Sequence, residues 1–167
     1  MPSRRAPTYD ELVARMATIQ PRLRRRKLTV ASAESCTGGL LGAVLSETSG
    51  SSDHYVGGAV VYSNDAKTAL ADVPADLIHG HGAVSPVVAG ALARGARERL
   101  GARIGLGVTG IAGPTGATPG KPVGLVYVAV DSAKHSKVRT CRFGFDRGGN
   151  RRASVAAALD LLEEAIA

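Results

Sequence analysis

The sequence predicts a three-layer α/β/α domain. Five short apolar runs have the length of buried strands, and segments with helical spacing of apolar residues are interleaved with them. A length of 167 residues with 44% hydrophobic residues suffices for one buried core without staples. Residues 1–167 therefore read as a single domain, with residues 1–8 as a flexible lead-in tail.

Each element has a local reason. Leu12, Val13, Met16 and Ile19 recur at helical spacing, which predicts a helix over residues 8–20 that Pro21 kinks or breaks. Residues 28–33 are a buried strand, and residues 39–48 a helix with Leu40, Leu41, Val44 and Leu45 on its core face, ended by Gly50-Ser51-Ser52. Residues 55–62 read as a second strand thinned by Gly57 and Gly58, and Asn64 suits the cap of a helix over residues 65–71. Ser85 caps and Pro86 opens a helix reaching about Leu100. Residues 104–108, 123–131 and 137–145 supply three more strands, the last two a hairpin through residues 132–136. A final helix runs from Gly149 to Ile166.

Charge and composition narrow the function classes. The net charge of +7 is concentrated at two places: residues 1–27 hold eight Lys and Arg, and residues 134–152 hold seven. The remainder has six basic against eleven acidic residues, and four Tyr, two Phe and no Trp leave few rings for stacking bases. This pattern argues against a nucleic-acid partner. No run approaches the roughly 18 apolar residues of a membrane span, and no apolar signal segment follows the charged N-terminus, so a cytoplasmic location without membrane contact is expected. Cys36 and Cys141 are expected as reduced thiols, and no metal-ligand cluster stands out.

Three places carry candidate chemistry. Ala33-Glu34-Ser35-Cys36-Thr37-Gly38-Gly39 follows a strand and opens a helix, so the backbone N–H groups of its turn are free to meet an oxyanion or a phosphate. Ser35 or Thr37 could serve there as a simple helix cap, and Cys36 is a rival nucleophile that no histidine is placed to activate. A serine nucleophile needs a base. His54, His79, His81 and His135 form no recognisable triad, whereas Lys67 falls in a first helical turn, where the helix dipole disfavours a cation; its plain reading is an exposed helix lysine. Tyr62, ending the second strand, could share a hydrogen bond with either group or be structural. The third place is the long loop from Gly110 to Pro122, with four glycines and three prolines. Thr109, Gly110 and Gly113 at its start offer amides and a hydroxyl to a sugar or a phosphate, without a Walker or dinucleotide fingerprint. Arg147, Arg151 and Arg152 open the last helix, where a guanidinium suits a phosphate or carboxylate.

Six motifs, in order, carry a resemblance: Ala33 to Gly39, Tyr62-Ser63-Asn64-Asp65-Ala66-Lys67, His81-Gly82-Ala83-Val84-Ser85, Gly110-Ile111-Ala112-Gly113-Pro114, Lys121-Pro122-Val123-Gly124 and Asp146-Arg147. Over about residues 9–165 the chain resembles the CinA C-terminal domain family. The resemblance implies a mixed five-stranded sheet and the activity of that family's characterised members, stand-alone nicotinamide-nucleotide amidases, which hydrolyse nicotinamide mononucleotide to nicotinate mononucleotide and ammonia. It implies Ser35 as nucleophile, Lys67 as general base, Tyr62 as its helper and Arg147 as a functional arginine. Thr37, Gly38, Gly39, Thr109, Gly110 and Gly113 are the expected substrate-binding positions. No cofactor or metal is implied, the partner is a small pyridine nucleotide, and self-association is expected of so small an α/β enzyme. The competing expectation is a non-catalytic nucleotide-binding or regulatory protein tied to competence or DNA damage.

Overall fold

A computed structural model describes residues 5–167; residues 1–4 of the expected tail lie outside the described residues. From Arg5 onward the lead-in is tied down. Arg5 Nη1 donates to Glu11 at 2.9 Å, and the Pro7 carbonyl accepts from Arg152 Nε at 2.7 Å.

The chain forms α1 (Tyr9–Arg25), β1 (Val30–Glu34), α2 (Leu40–Ser46), β2 (Tyr55–Val60), α3 (Asn64–Ala71), α4 (Ala75–His81), α5 (Pro86–Arg99), β3 (Ile104–Gly110), β4 (Leu125–Ser132), β5 (Ser136–Arg142) and α6 (Arg147–Ala165). The sheet order is β2-β1-β3-β4-β5. The first three of these run parallel, and β4 and β5 add antiparallel pairings, so the sheet is mixed. Helices α1, α2 and α6 cover one face; α3, α4 and α5 cover the other. This is the expected three-layer arrangement.

Local chemistry explains where the elements depart from expectation. Thr8 and Glu11 form a reciprocal capping box that starts α1. The helix then continues through Pro21, which faces solvent, because Met16, Ile19, Gln20 and Leu23 are buried on both sides of it. Helix α3 is capped by Ser63, whose Oγ accepts from the Ala66 amide at 3.1 Å, and Asn64 is its first residue. Helix α4 was not anticipated; its seven residues bury only Ile78. The last helix starts two residues early, at Arg147, because Asp146 Oδ1 accepts from the Gly149 amide at 2.7 Å.

Alternation along β3 sets the layer spacing. Ile104, Leu106 and Val108 enter the core beneath α1, α2 and α6, while Gly105 and Gly107 face α5. A methyl group on Gly105 would run into the Ala93 carbonyl of α5, so the helix lies directly on the sheet. Part of the basic segments is paired within the fold: Arg15 pairs with Asp160, and Lys137 and Arg139 pair with Glu164 and Asp160, all of these acids on α6. Among the described residues, no helix is long and apolar enough to cross a membrane.

Two outcomes follow for stability. Gly105→Ala is expected to lose about 1–3 kcal/mol through overpacking, read as a lower urea midpoint at unchanged slope. His54 is fully buried, donates Nε2–H to the Leu45 carbonyl at 3.2 Å, and has its pKa pushed below the ordinary 6.5 by burial. The unfolded chain therefore binds the extra proton first. Stability should be complete above pH 6.5 and decline as the pH falls through it, and a flat urea midpoint across that range would contradict this.

Candidate active site

The carboxyl ends of the three parallel strands converge, and the loops that leave them build a cleft, as the crevice at such an edge is expected to do. Ser35 follows β1, Tyr62 follows β2, and Thr109 and Gly113 end and follow β3. Together with Lys67 of α3 and Arg147 of α6 they line a space of about 300 Å³.

Ser35 is placed by its backbone, since its amide donates to the Val108 carbonyl at 2.9 Å and continues the β1–β3 ladder. Lys67 Nζ lies 3.2 Å from Ser35 Oγ. The lysine is only 2% exposed, so the exposed-helix reading does not hold. Its other acceptors are the Val61 carbonyl at 3.0 Å and the Ser63 carbonyl at 3.5 Å. All three acceptors are neutral, and burial pushes the amine pKa down from 10.5, with the neighbouring Cys36 opposing. An amine held short of solvent and of counter-charge is disposed to be a base.

Cys36 is the less suited neighbour. Burial pushes its thiol up to about 12, far from the thiolate that a sulfur nucleophile needs. Cys36 and Cys141 are both free and buried.

The turn after β1 resolves the capping alternative. Glu34 is buried, and its carboxylate accepts from the Leu41 amide at 2.8 Å and the Gly42 amide at 3.0 Å. Glu34 thus caps the start of α2 together with the Thr37 carbonyl, which accepts from the Leu40 amide at 3.1 Å, and neither the Ser35 nor the Thr37 hydroxyl is spent on it. Gly38 and Gly39 take φ of +57° and +100°, which lets the chain double back within the turn. The Thr37 side chain is fully buried, while Gly38 is exposed and Gly39 half-buried on the turn that carries Ser35. Among the described residues, no carbonyl accepts from the amides of Cys36 or Thr37.

On the opposite wall, Thr109 Oγ1 donates to the Ala83 carbonyl at 2.7 Å, while Gly110 and Gly113 line the cleft. Arg147 closes one side: Nη1 donates to the Gly113 carbonyl at 2.8 Å and Nη2 to the Tyr62 hydroxyl at 2.9 Å. Tyr62 is 59% exposed, and its oxygen meets Arg147 rather than Ser35 or Lys67. Arg151 and Arg152 each donate one N–H to a main-chain carbonyl, those of Thr37 and Pro7, each at 2.7 Å, and of the three arginines Arg147 is the one that lines the cleft.

Glu34 and Asn150 belong to this site although sequence reasoning gave neither a role. Asn150 is 1% exposed, donates Nδ2–H to the Ala112 carbonyl at 3.0 Å and accepts from the Phe145 amide at 3.1 Å. The available signal was a carboxylate and a carboxamide inside otherwise apolar elements, which must find partners there. Among the described residues, no group of three or more His, Cys, Asp or Glu side chains is placed to hold a metal ion.

Fold and site define a mixed-sheet α/β/α domain with a serine–lysine pair at the carboxyl edge of its parallel strands. The sequence profile of the CinA C-terminal domain matches residues 13–166, and the chain belongs to that family. It is 53% identical over 142 residues to a CinA-like protein of Koribacter versatilis, covering 85% of this chain and 34% of that protein. It is 50% identical over 139 residues to one of Mycolicibacterium gilvum, covering 83% and 33%. The chain spans about a third of the length of these curated relatives. Among solved structures, the competence/damage inducible protein CihA of Agrobacterium tumefaciens superimposes with a TM-score of 0.90 at 37% identity, covering 95% of this chain and 96% of that one. A CinA superfamily protein of Escherichia coli gives 0.89 at 29% identity, covering 95% and 92%.

The Cys36 environment has a direct test. Iodoacetamide at pH 7.5 is expected to leave Cys36 unmodified in the native protein and to alkylate it in urea, as mapped by peptide mass spectrometry. Rapid native labelling would show that the thiol is not held protonated and buried.

Proposed function

We propose that this protein is an amidohydrolase that converts the carboxamide of a pyridine nucleotide, nicotinamide mononucleotide foremost, to the carboxylate with release of ammonia. The observation that carries the reading is the buried Lys67 amine 3.2 Å from Ser35 Oγ. Membership of the CinA C-terminal domain family supports the reading, and the substrate class is taken from the resemblance to nicotinamide-nucleotide amidases.

In this reading Ser35 Oγ attacks the carboxamide carbon while Lys67 takes the hydroxyl proton. The oxygen that gains the charge is met by backbone N–H groups, for which the amides of Cys36 and Thr37 are the nearest in sequence to the nucleophile without a carbonyl acceptor among the described residues. Lys67 then returns the proton to the departing nitrogen, which leaves as ammonia and an acyl ester on Ser35. Water, deprotonated by the same amine, hydrolyses that ester. Arg147 serves the nucleotide phosphate with the guanidinium N–H groups not used on Gly113 and Tyr62. Tyr62 acts at one remove, by orienting Arg147.

A second reading is favoured by the names of relatives such as the competence/damage inducible protein of A. tumefaciens: a nucleotide-binding regulator without turnover. Calorimetric binding of a nucleotide with no ammonia formed would select it.

Three outcomes are expected of the amidase. Purified protein incubated with nicotinamide mononucleotide releases ammonia, and Ser35→Ala abolishes the release; equal rates from both would end the proposal. Because the neutral amine is the active form, kcat/KM rises with pH through the Lys67 pKa and levels above it, with that limb below 10.5. Lys67→Met removes both the activity and this limb. The same variant is expected to raise Tm at neutral pH, since it places an apolar chain where a basic group is desolvated.

A further inference from the structure

We infer that Asn150 and Arg151 are positioning residues that hold the two backbone walls of the cleft at a fixed separation. This inference rests on the amidase reading and deepens it. Arg147, Asn150 and Arg151 stand at i, i+3 and i+4 on α6 and so share one face of its first turns. From that face Arg151 Nη2 reaches the Thr37 carbonyl at 2.7 Å, in the turn that carries Ser35. Asn150 Nδ2 reaches the Ala112 carbonyl at 3.0 Å, in the loop of the opposite wall, and Arg147 takes the next carbonyl, Gly113. Neighbouring residues of one rigid helix thus grip two segments that are more than seventy residues apart in sequence.

The chemistry of each side chain suits this work. The Asn150 carboxamide is buried and used at both ends, accepting from the Phe145 amide while it donates to Ala112; a carboxylate could do only the first. Arg151 carries its charge to a carbonyl, and a charge-assisted bond of that kind fixes the peptide plane of Thr37. The same carbonyl also accepts from the Leu40 amide at 3.1 Å, so the side-chain and main-chain bonds together hold the turn. Both N–H groups beside the nucleophile, those of Cys36 and Thr37, lack carbonyl acceptors among the described residues, so their direction depends on how this turn is held.

The experiment combines steady-state kinetics on nicotinamide mononucleotide with the rate at which a fluorophosphonate labels Ser35, read by intact mass. Arg151→Met is expected to lower kcat by about 100-fold with KM changed less than about twofold, the size of effect that a 1 Å misplacement produces. Labelling should slow in parallel, and Arg151→Lys, which keeps a donor, should recover about a tenth or more of wild-type kcat. Asn150→Asp should instead raise KM by about tenfold, because it releases the substrate-side loop. Wild-type kcat and labelling in Arg151→Met, or losses in all three variants that only track the folded fraction by circular dichroism, would overturn the inference. If Arg151→Met does not fold, the labelling rate of Arg151→Lys decides. Absence of ammonia from the wild type would refute the amidase reading alone, since Ser35 labelling still reports whether Arg151 holds the turn.

Discussion

A basic side chain withdrawn from water is the constraint on which this molecule turns. Lys67 sits in the first turn and a half of α3, where the helix dipole opposes a positive charge, and among the described residues its acceptors are two carbonyls and one hydroxyl. Such a group is destabilising as a cation, and the fold must hold it by packing around it. The close seat of α5 on β3 and on α3 supplies that packing. Gly95 of α5 meets the Ala71 carbonyl of α3 so closely that a methyl group would not fit. The layer that buries the lysine is therefore seated closely on the sheet, with α3 and α5 in direct backbone contact, at glycine positions.

The opposite layer does complementary work. Glu34 ties the start of α2 to the end of β1, and the first turns of α6 tie the β1 turn to the β3–β4 loop. Each of these ties ends on main-chain atoms. The cleft is consequently an assembly of backbone segments whose spacing is set by a few buried or half-buried polar side chains, with Ser35 and Lys67 as the chemical pair between them. Precision in such a site depends on secondary-structure rigidity more than on loop composition.

Much of this was legible in the sequence, for physical reasons that differ between parts. The strands and the α5 cap showed because apolar periodicity and the Ser85-Pro86 pair are local signals. Helix α4 did not, since it is seven residues long and buries one side chain. Pro21 misled because a proline stops a helix only when tertiary contacts do not carry it onward. Ser35 and Lys67 were identified by type and position, and the structure brings them together. Tyr62 was placed in the right cleft, but its hydrogen bond to Arg147 depends on a residue 85 positions away, which no local pattern encodes. For Arg151 and Arg152 the sequence shows the charge but not the main-chain carbonyls of Thr37 and Pro7 that each of them meets.

The sulfur beside the nucleophile has one more consequence. With its thiol pushed up to about 12, Cys36 is held protonated at neutral pH, and it is the thiolate that peroxides attack. Ser35 itself has no comparable oxidation chemistry. A cleft built this way places a buried, protonated sulfur directly beside the Ser35 hydroxyl, where it is a poor target for oxidants.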